Sequence, residues 1–276
     1  MLDKFIYENH LGQRYEGLPN GVYLNHSELR NYSWKYDTIN SAISRFYRPI
    51  TNRKIQLLVC GYSAEDAMTA MNRLVDLAES DLAAKIPGKI FIGDYYTTGY
   101  ITSSKKKNYL IDKRLCNIEL VMTSDDPAWY REKTHQFFPE TESGGAIGGG
   151  TDYPFDYQYD YAYVMKGHEI VCNSSGSHAF RMVIYGEAVN PSVSIGGHVY
   201  AINGTVSKGE ILVIDSLNKT ITLTTALGNR INWFDKRGRK DYIFEPIPSG
   251  QNTVSWSGTF GFDLTVIEKR SEPRWT

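Results

Sequence analysis

Short runs rich in Val, Ile, Thr, Tyr and Phe dominate the pattern of this chain, and one stretch interrupts them with helical spacing. Residues 55–60, IQLLVC, form an apolar run of strand length. A helix is expected over about residues 64–82. Ser63 stands where an N-cap belongs, with Asp66 three residues on as in a capping box. Ala67, Met71, Leu74, Val75, Ala78 and Leu82 then fall on one stripe of a 3.6-residue repeat. Pro87 and Gly88 end that unit. Strands are expected at about 89–95 and 98–104, close enough to pair as a hairpin, with Lys105, Lys106 and Lys107 at an exposed turn. A third strand runs from about 113 to 123 on Leu115, Ile118, Leu120 and Met122.

From about residue 166 onward the pattern is almost all strand. Pieces at 168–173, 180–188, 192–196, 198–202, 211–216, 219–225, 229–234, 241–244, 252–257 and 260–268 are punctuated by turn pairs such as Asn190-Pro191, Asn203-Gly204 and Ser249-Gly250. Strand-sized pieces at this spacing, with no helical pattern between them, predict an antiparallel sandwich. Asp215, Ser216, Leu217 and Asn218 are expected to close a tight hairpin. Between the halves lie the glycine-rich SGGAIGGG at 143–150 and YPFDYQYDYAY at 153–163, where aromatics alternate with polar residues. The domain boundary is therefore set near residue 140: 1–140, a Gly/Tyr-rich linker at 141–165, and 166–276.

Composition narrows the function classes. Hydrophobic residues make up 41% and charged residues 22%, which suits a folded chain with a real core. A net charge of -1 gives no field to hold nucleic acid or an anionic membrane, so neither is expected as a partner. No apolar segment has the length or flanks of a membrane helix or a secretion signal. The 20 tyrosines suit sheets and interfaces alike. Cys60, Cys116 and Cys172 lack metal or disulfide spacing and are expected as small buried hydrophobes in a reducing compartment.

Catalytic patterns are weak. The six histidines include no i, i+4 pair of a zinc helix, and no GxSxG elbow supports a Ser-His-Asp set. Asp125 and Asp126 resemble a glycosidase carboxylate pair, but beside Pro127 they suit a turn better. The glycine run at 143–150 lacks the Lys-Ser/Thr of a phosphate loop. No catalytic residue, metal or cofactor is assigned. The runs Lys105–Lys107 and Lys236, Arg237, Arg239, Lys240 read as solvated turns.

In order along the chain, several segments resemble one family. GGHVYAING (196–204), GEILVIDSLNKTITL (209–223), GNRINWF (228–234) and PIPSGQNTVSWSGTFGFDLTVIEKR (246–270), closed by Arg274-Trp275, resemble the C-terminal galectin-like domain of bacteriophage distal tail (Dit) proteins. RKIQLLVCGYS (53–63), the helix with LVDLAESDLA, PGKIFIGDYY (87–96) and IELVMTSDDPAWY (118–130) resemble that family's N-terminal belt domain, which holds one helix and a protruding hairpin. The resemblance implies a mainly β, non-enzymatic subunit of a homo-hexameric ring at the virion tail tip, made in the host bacterial cytoplasm. It implies a channel for DNA and the tape-measure protein. Its implied partners are the tail-tube protein on one face, the tail-associated tip protein on the other and, in some relatives, receptor-binding proteins.

A closed ring joins two different patches of each subunit, and aromatics suit such joints. Trp34 and Tyr36, with Phe91, Tyr95, Tyr96 and Tyr100 on the expected 89–104 hairpin, are the candidate ring contacts; the same residues would otherwise face their own core. The alternative function is a module that binds host cell-wall glycans, for which Trp233 and Trp256 are the candidate platforms.

Overall fold

A computed structural model describes residues 4–108, 114–139, 168–174 and 176–275. The expected boundary near residue 140 and the Gly/Tyr-rich segment at 141–165 lie outside the described residues. The chain is mainly β with one α-helix, and it forms two compact units. The first is Met1–Arg131 together with Lys269–Thr276, and the second is Glu132–Glu268.

The first unit begins with β1 (Ile6–Glu8), β2 (Arg14–Glu16) and β3 (Val22–Ser27). A hairpin of β4 (Lys35–Ile39) and β5 (Ala42–Tyr47) follows, then β6 (Thr51–Cys60), the helix α1 (Ala64–Ala84), β7 (Gly88–Ile92), β8 (Tyr95–Lys107), β9 (Leu115–Ser124) and the first residues of β10 (Trp129–Phe137), whose part from Glu132 belongs to the second unit. All pairings are antiparallel. β3, β6, β9 and β8 are neighbours in turn, and β8 continues through β7 and β1 to β2. β8 serves both groups: Tyr95–Gly99 pair with β7, and from Tyr100 onward the strand pairs with β9, past a register shift between Ile101 and Ser103. A bulge there bends the strand.

The capping box forms as expected: Asp66 N–H donates to Ser63 Oγ at 3.1 Å, and Ser63 N–H donates to Asp66 Oδ2 at 3.0 Å. The buried stripe of α1 is Ala67, Ala70, Leu74, Leu77, Ala78 and Asp81. It is rotated from the expected one, since Leu82 is exposed and Met71 and Val75 are half-buried. A buried aspartate draws the helix round: Asp81 accepts from the Tyr7 hydroxyl, from His10 N at 2.8 Å and from His10 Nδ1 at 2.6 Å. In β9 the inward parity is Cys116, Ile118, Leu120 and Met122, so Leu115 points outward, against expectation. Arg53 is buried in β6; its Nη2 donates to the Pro127 carbonyl at 2.7 Å and its Nη1 to Thr97 Oγ1 at 3.3 Å. Burial, with Arg48 nearby, pulls its pKa down to about 10.

The second unit holds β11 (His168–Cys172), β12 (Ala179–Tyr185), β13 (Ala188–Val189), β14 (Ser192–Ile195), β15 (His198–Ala201), β16 (Thr205–Val206), β17 (Ile211–Asp215), β18 (Thr220–Thr224), β19 (Arg230–Asn232), β20 (Gly250–Trp256) and β21 (Phe262–Arg270). One antiparallel sheet runs β19-β18-β17-β12-β21 and a second runs β11-β20-β14-β15. Phe180, Met182, Leu212, Ile214, Phe262 and Leu264 of the first share a core with Ile170, Val193, Ile195, Tyr200 and Val254 of the second, which is the construction of a sandwich. The hairpin at 215–218 closes on Asp215, whose Oδ1 accepts from Leu217 N and Asn218 N, both at 2.9 Å. All three cysteines are free; Cys116 and Cys172 are buried, but Cys60 is exposed because it sits at the outward-facing end of β6.

Candidate functional site

The hairpin β4–β5 stands apart from the other sheets; among the described residues its strands pair only with each other. It turns at Asn40 and Ser41, both left-handed at φ 50 and 65, as a two-residue type I′ turn requires. Register puts Tyr36 opposite Phe46 and Thr38 opposite Ile43, and paired residues share a face. That face is therefore aromatic and aliphatic. The other carries Lys35, Asp37, Arg45 and Tyr47, with Ile39 and Ala42 near the tip. Nothing in the described chain covers the apolar face: Tyr36 and Phe46 are each 59% exposed and Ile43 is 54% exposed. Their rings meet edge-on, with centroids 6.5 Å apart. A lone two-stranded ribbon is barely stable in water, and an apolar one exposed to water asks for a partner. This arm is the outstanding unsatisfied surface of the first unit.

Trp34 lies at the arm's root rather than on it. The guanidinium of Arg48, just after β5, sits 4.2 Å from the Trp34 ring centroid, and Trp34 Nε1 donates to Ser271 Oγ at 3.2 Å. Beside the root a cleft of about 610 Å³ is lined by Asn25, His26, Arg30, Tyr32, Glu272 and Trp275 among others.

The other expected ring contacts lie elsewhere. β7 and β8 do form a hairpin, but it turns at Gly93-Asp94 and is built into the sheet. Tyr95 is 4% exposed in the unit's own core, since its parity on β8 points inward with Thr97. Phe91, Tyr96 and Tyr100 are half-buried. Arg14 covers the Phe91 ring at 5.1 Å and Lys89 the Tyr96 ring at 4.9 Å, while Tyr96 stacks on Tyr130 at 5.7 Å. Lys105, Lys106 and Lys107 are not in a turn; they extend β8 along β9, with Lys105 opposite Glu119.

The two glycan candidates are both partly buried against the core of the second unit. Trp256 donates from Nε1 to the Phe260 carbonyl at 3.0 Å and packs edge-on against Phe262. Trp233 lies so close to Gly204 that a β-carbon there would come within 3.1 Å of its ring. Both indoles keep only part of their surface exposed.

The catalytic look-alikes resolve into structural contacts. Asp126 accepts from the Tyr130 hydroxyl and from Lys269 Nζ at 3.0 Å. Burial works against its charge, but these two donors outweigh it and hold the carboxyl below the usual range. The ionised form thus belongs to the folded state. Its stabilisation is present above the ordinary carboxylate pKa of about 3.9 and is lost as pH falls through the lower folded value. Lys269→Ala is expected to shift acid unfolding of the first unit to higher pH, read by circular dichroism; an unmoved midpoint contradicts this role. Ser174 Oγ meets His178 Nε2 in a buried pair, and His178 Nδ1 has no partner among the described residues, so no carboxylate orients the ring as a triad requires. Among the described residues no three His, Cys, Asp or Glu side chains converge to hold a metal.

Neither a protein-family model nor a curated protein sequence matches the chain. Solved structures do. The Dit protein of phage SPP1, described as a paradigm of the hub adsorption apparatus in phages infecting Gram-positive hosts, superposes with a TM-score of 0.58 at 11% identity, over 98% of this chain and 99% of that one. The chain has the fold of a phage Dit hub protein. The activated baseplate of phage P2 supplies similar chains, with calcium at a TM-score of 0.62 and with strontium at 0.61, both at 11% identity over 99% of this chain and 100% of theirs. The Dit fold thus extends over both units, in the order the sequence motifs indicate. The sequence marked this region only through Trp34 and Tyr36; the hairpin itself went unread, because neither Asn40-Ser41 nor its exposed strands follow the familiar hairpin pattern.

Proposed function

We propose that this protein is a structural subunit of a phage tail tip, forming a homo-hexameric ring between the tail tube and the baseplate or fibre apparatus and leaving a channel for DNA. The observation that carries this reading is the shared fold with the SPP1 hub and P2 baseplate chains over nearly the whole length of both partners. The arm supplies the physical means. In a cyclic ring each subunit presents two different patches, and a projecting apolar ribbon meets the next copy without needing its own twin opposite. Tyr36, Ile43 and Phe46 are the contacts on this reading, with Trp34 holding the root. Phe91, Tyr96 and Tyr100, half-buried, are secondary contact candidates. The tube protein and the tip protein occupy the two faces of the ring, the tape-measure protein passes through it, and receptor-binding proteins attach to its periphery. The protein does no covalent chemistry. It works at the tail tip of the virion and is made in the host cytoplasm.

Negative-stain imaging of the purified protein tests this reading. Annular particles with a central hole are expected, alone or once the tube protein is added. Uniformly small, solid particles under both conditions would contradict it.

A further inference from the structure

We propose that Ser271 is the positioning residue of the arm: the short segment from Arg270 to Trp275 pins both legs of the β4–β5 hairpin and fixes the direction in which it leaves the first unit. This inference rests on the arm being the assembling element. A ribbon outside any sheet takes its direction from its root alone. Here the root has two legs, Trp34 before β4 and Arg48 after β5, tied to each other by the stack of guanidinium on indole at 4.2 Å. Ser271 Oγ accepts from both, at 3.2 Å from Trp34 Nε1 and 3.0 Å from Arg48 Nη2. A hydroxyl has two lone pairs, so this one oxygen is fully committed to the two legs.

The pin is itself held. Arg30 Nη1 donates to the Pro273 carbonyl at 3.1 Å, and the Arg30 guanidinium lies 4.0 Å from the Trp275 ring centroid. Trp275 Nε1 donates to Glu272 Oε1 at 2.6 Å, and Arg270 Nε donates to the Glu272 carbonyl at 3.2 Å. Two arginine–tryptophan stacks therefore bracket Ser271, one on the arm and one on the body of the unit. Trp34, Arg48, Ser271 and Trp275 all lie outside the unit's hydrophobic core cluster. Loosening the pin should leave the core intact and free the arm to swing. An arm that points correctly only part of the time lowers apparent affinity for its partner by that fraction.

The test uses the full chain with Ser271→Ala, with Ser271→Ala combined with Trp275→Ala, and with Ser271→Thr as the conservative rescue. The first readout is the rate of tryptic cleavage after Lys35 and Arg45, measured at a dilution where the protein is monomeric. Cleavage of an opened segment follows its open population. The double variant is expected to be cut about tenfold faster or more, with Ser271→Ala between it and the wild type. The melting temperature should stay unchanged, and Ser271→Thr should restore the slow rate. The second readout is the concentration needed for assembly, expected to rise by a similar factor. Equal cleavage rates in all four proteins overturn the pin. Faster cleavage with unchanged assembly overturns the link from arm direction to assembly. Faster cleavage in a protein whose wild type never assembles leaves the pin standing and overturns the ring reading instead.

Discussion

Replacing Tyr36 and Phe46 together with serine leaves the chain folded and weakens its self-association at least about a hundredfold. Both side chains lie on one face of the arm, more than half exposed, with their rings edge-on to each other across the hairpin. The first unit therefore loses almost nothing by their removal; surface substitutions of this kind change stability by about 0.5 kcal/mol or less. An interface loses much more. Buried aromatics at the centre of a contact are worth about 2 kcal/mol or more each, and every 1.4 kcal/mol is tenfold in affinity. The pair is not strictly additive, so the hundredfold figure stands below the sum. Sedimentation velocity across a concentration series reads the effect. A matched control, Lys35→Ser with Arg45→Ser, alters the charged face and should shift assembly far less. If the aromatic pair can be removed without changing the association constant, the arm is not the joint.

Asp81→Ala should destabilise the first unit by about 3–5 kcal/mol, the cost of stripping one partner from a buried polar cluster. Asp81 has no exposed side-chain surface, and three donors converge on it: the Tyr7 hydroxyl, His10 N and His10 Nδ1. Removing the carboxylate leaves the buried Tyr7 hydroxyl and the partly buried His10 donors without this acceptor. The neighbourhood has no slack. A β-carbon on Gly88 would run into both Asp81 Oδ2 and the Tyr7 hydroxyl. The cluster also joins distant parts of the unit, because Asn9 Nδ2 donates to Ser80 Oγ at 3.1 Å beside it. Whole domains are stable by about 5–15 kcal/mol, so this one change takes a large share. Urea unfolding should show it, while Leu82→Ala, one residue along on the exposed side, should cost about 0.5 kcal/mol or less. A loss under about 1 kcal/mol for Asp81→Ala would mean that the cluster is solvated in solution.

What the sequence disclosed and what it hid follow from which contacts are local. The helix announced itself through Ser63 and Asp66, whose mutual hydrogen bonds involve only neighbours. The 215–218 hairpin did so through Asp215 in the same way. The rotation of α1 was hidden, since the burial of Asp81 depends on Tyr7 and His10, more than seventy positions away. A hydrophobicity stripe assigns an aspartate to water and cannot foresee a partner that distant. The arm was hidden for a different reason. A strand is recognised by a buried face alternating with a wet one, and β4 and β5 bury neither face within their own chain. The tail at Lys269–Thr276 reads as the end of the sandwich but belongs to the first unit, because Arg30, Trp34 and Arg48 recruit it. Of the expected aromatic contacts, Tyr36 stands on the open arm. Tyr95 turned inward through the parity of β8, whose hairpin turns at Gly93-Asp94, three residues earlier than expected.

Mass photometry of the purified protein over a wide concentration range, alone and with the tube and tip proteins added, addresses the ring directly. A single dominant species of about six subunits, with few intermediates between it and the monomer, is the predicted result for a closed cyclic assembly. A monomer that persists at every concentration and with every partner, or an open series of masses with no preferred size, would contradict it.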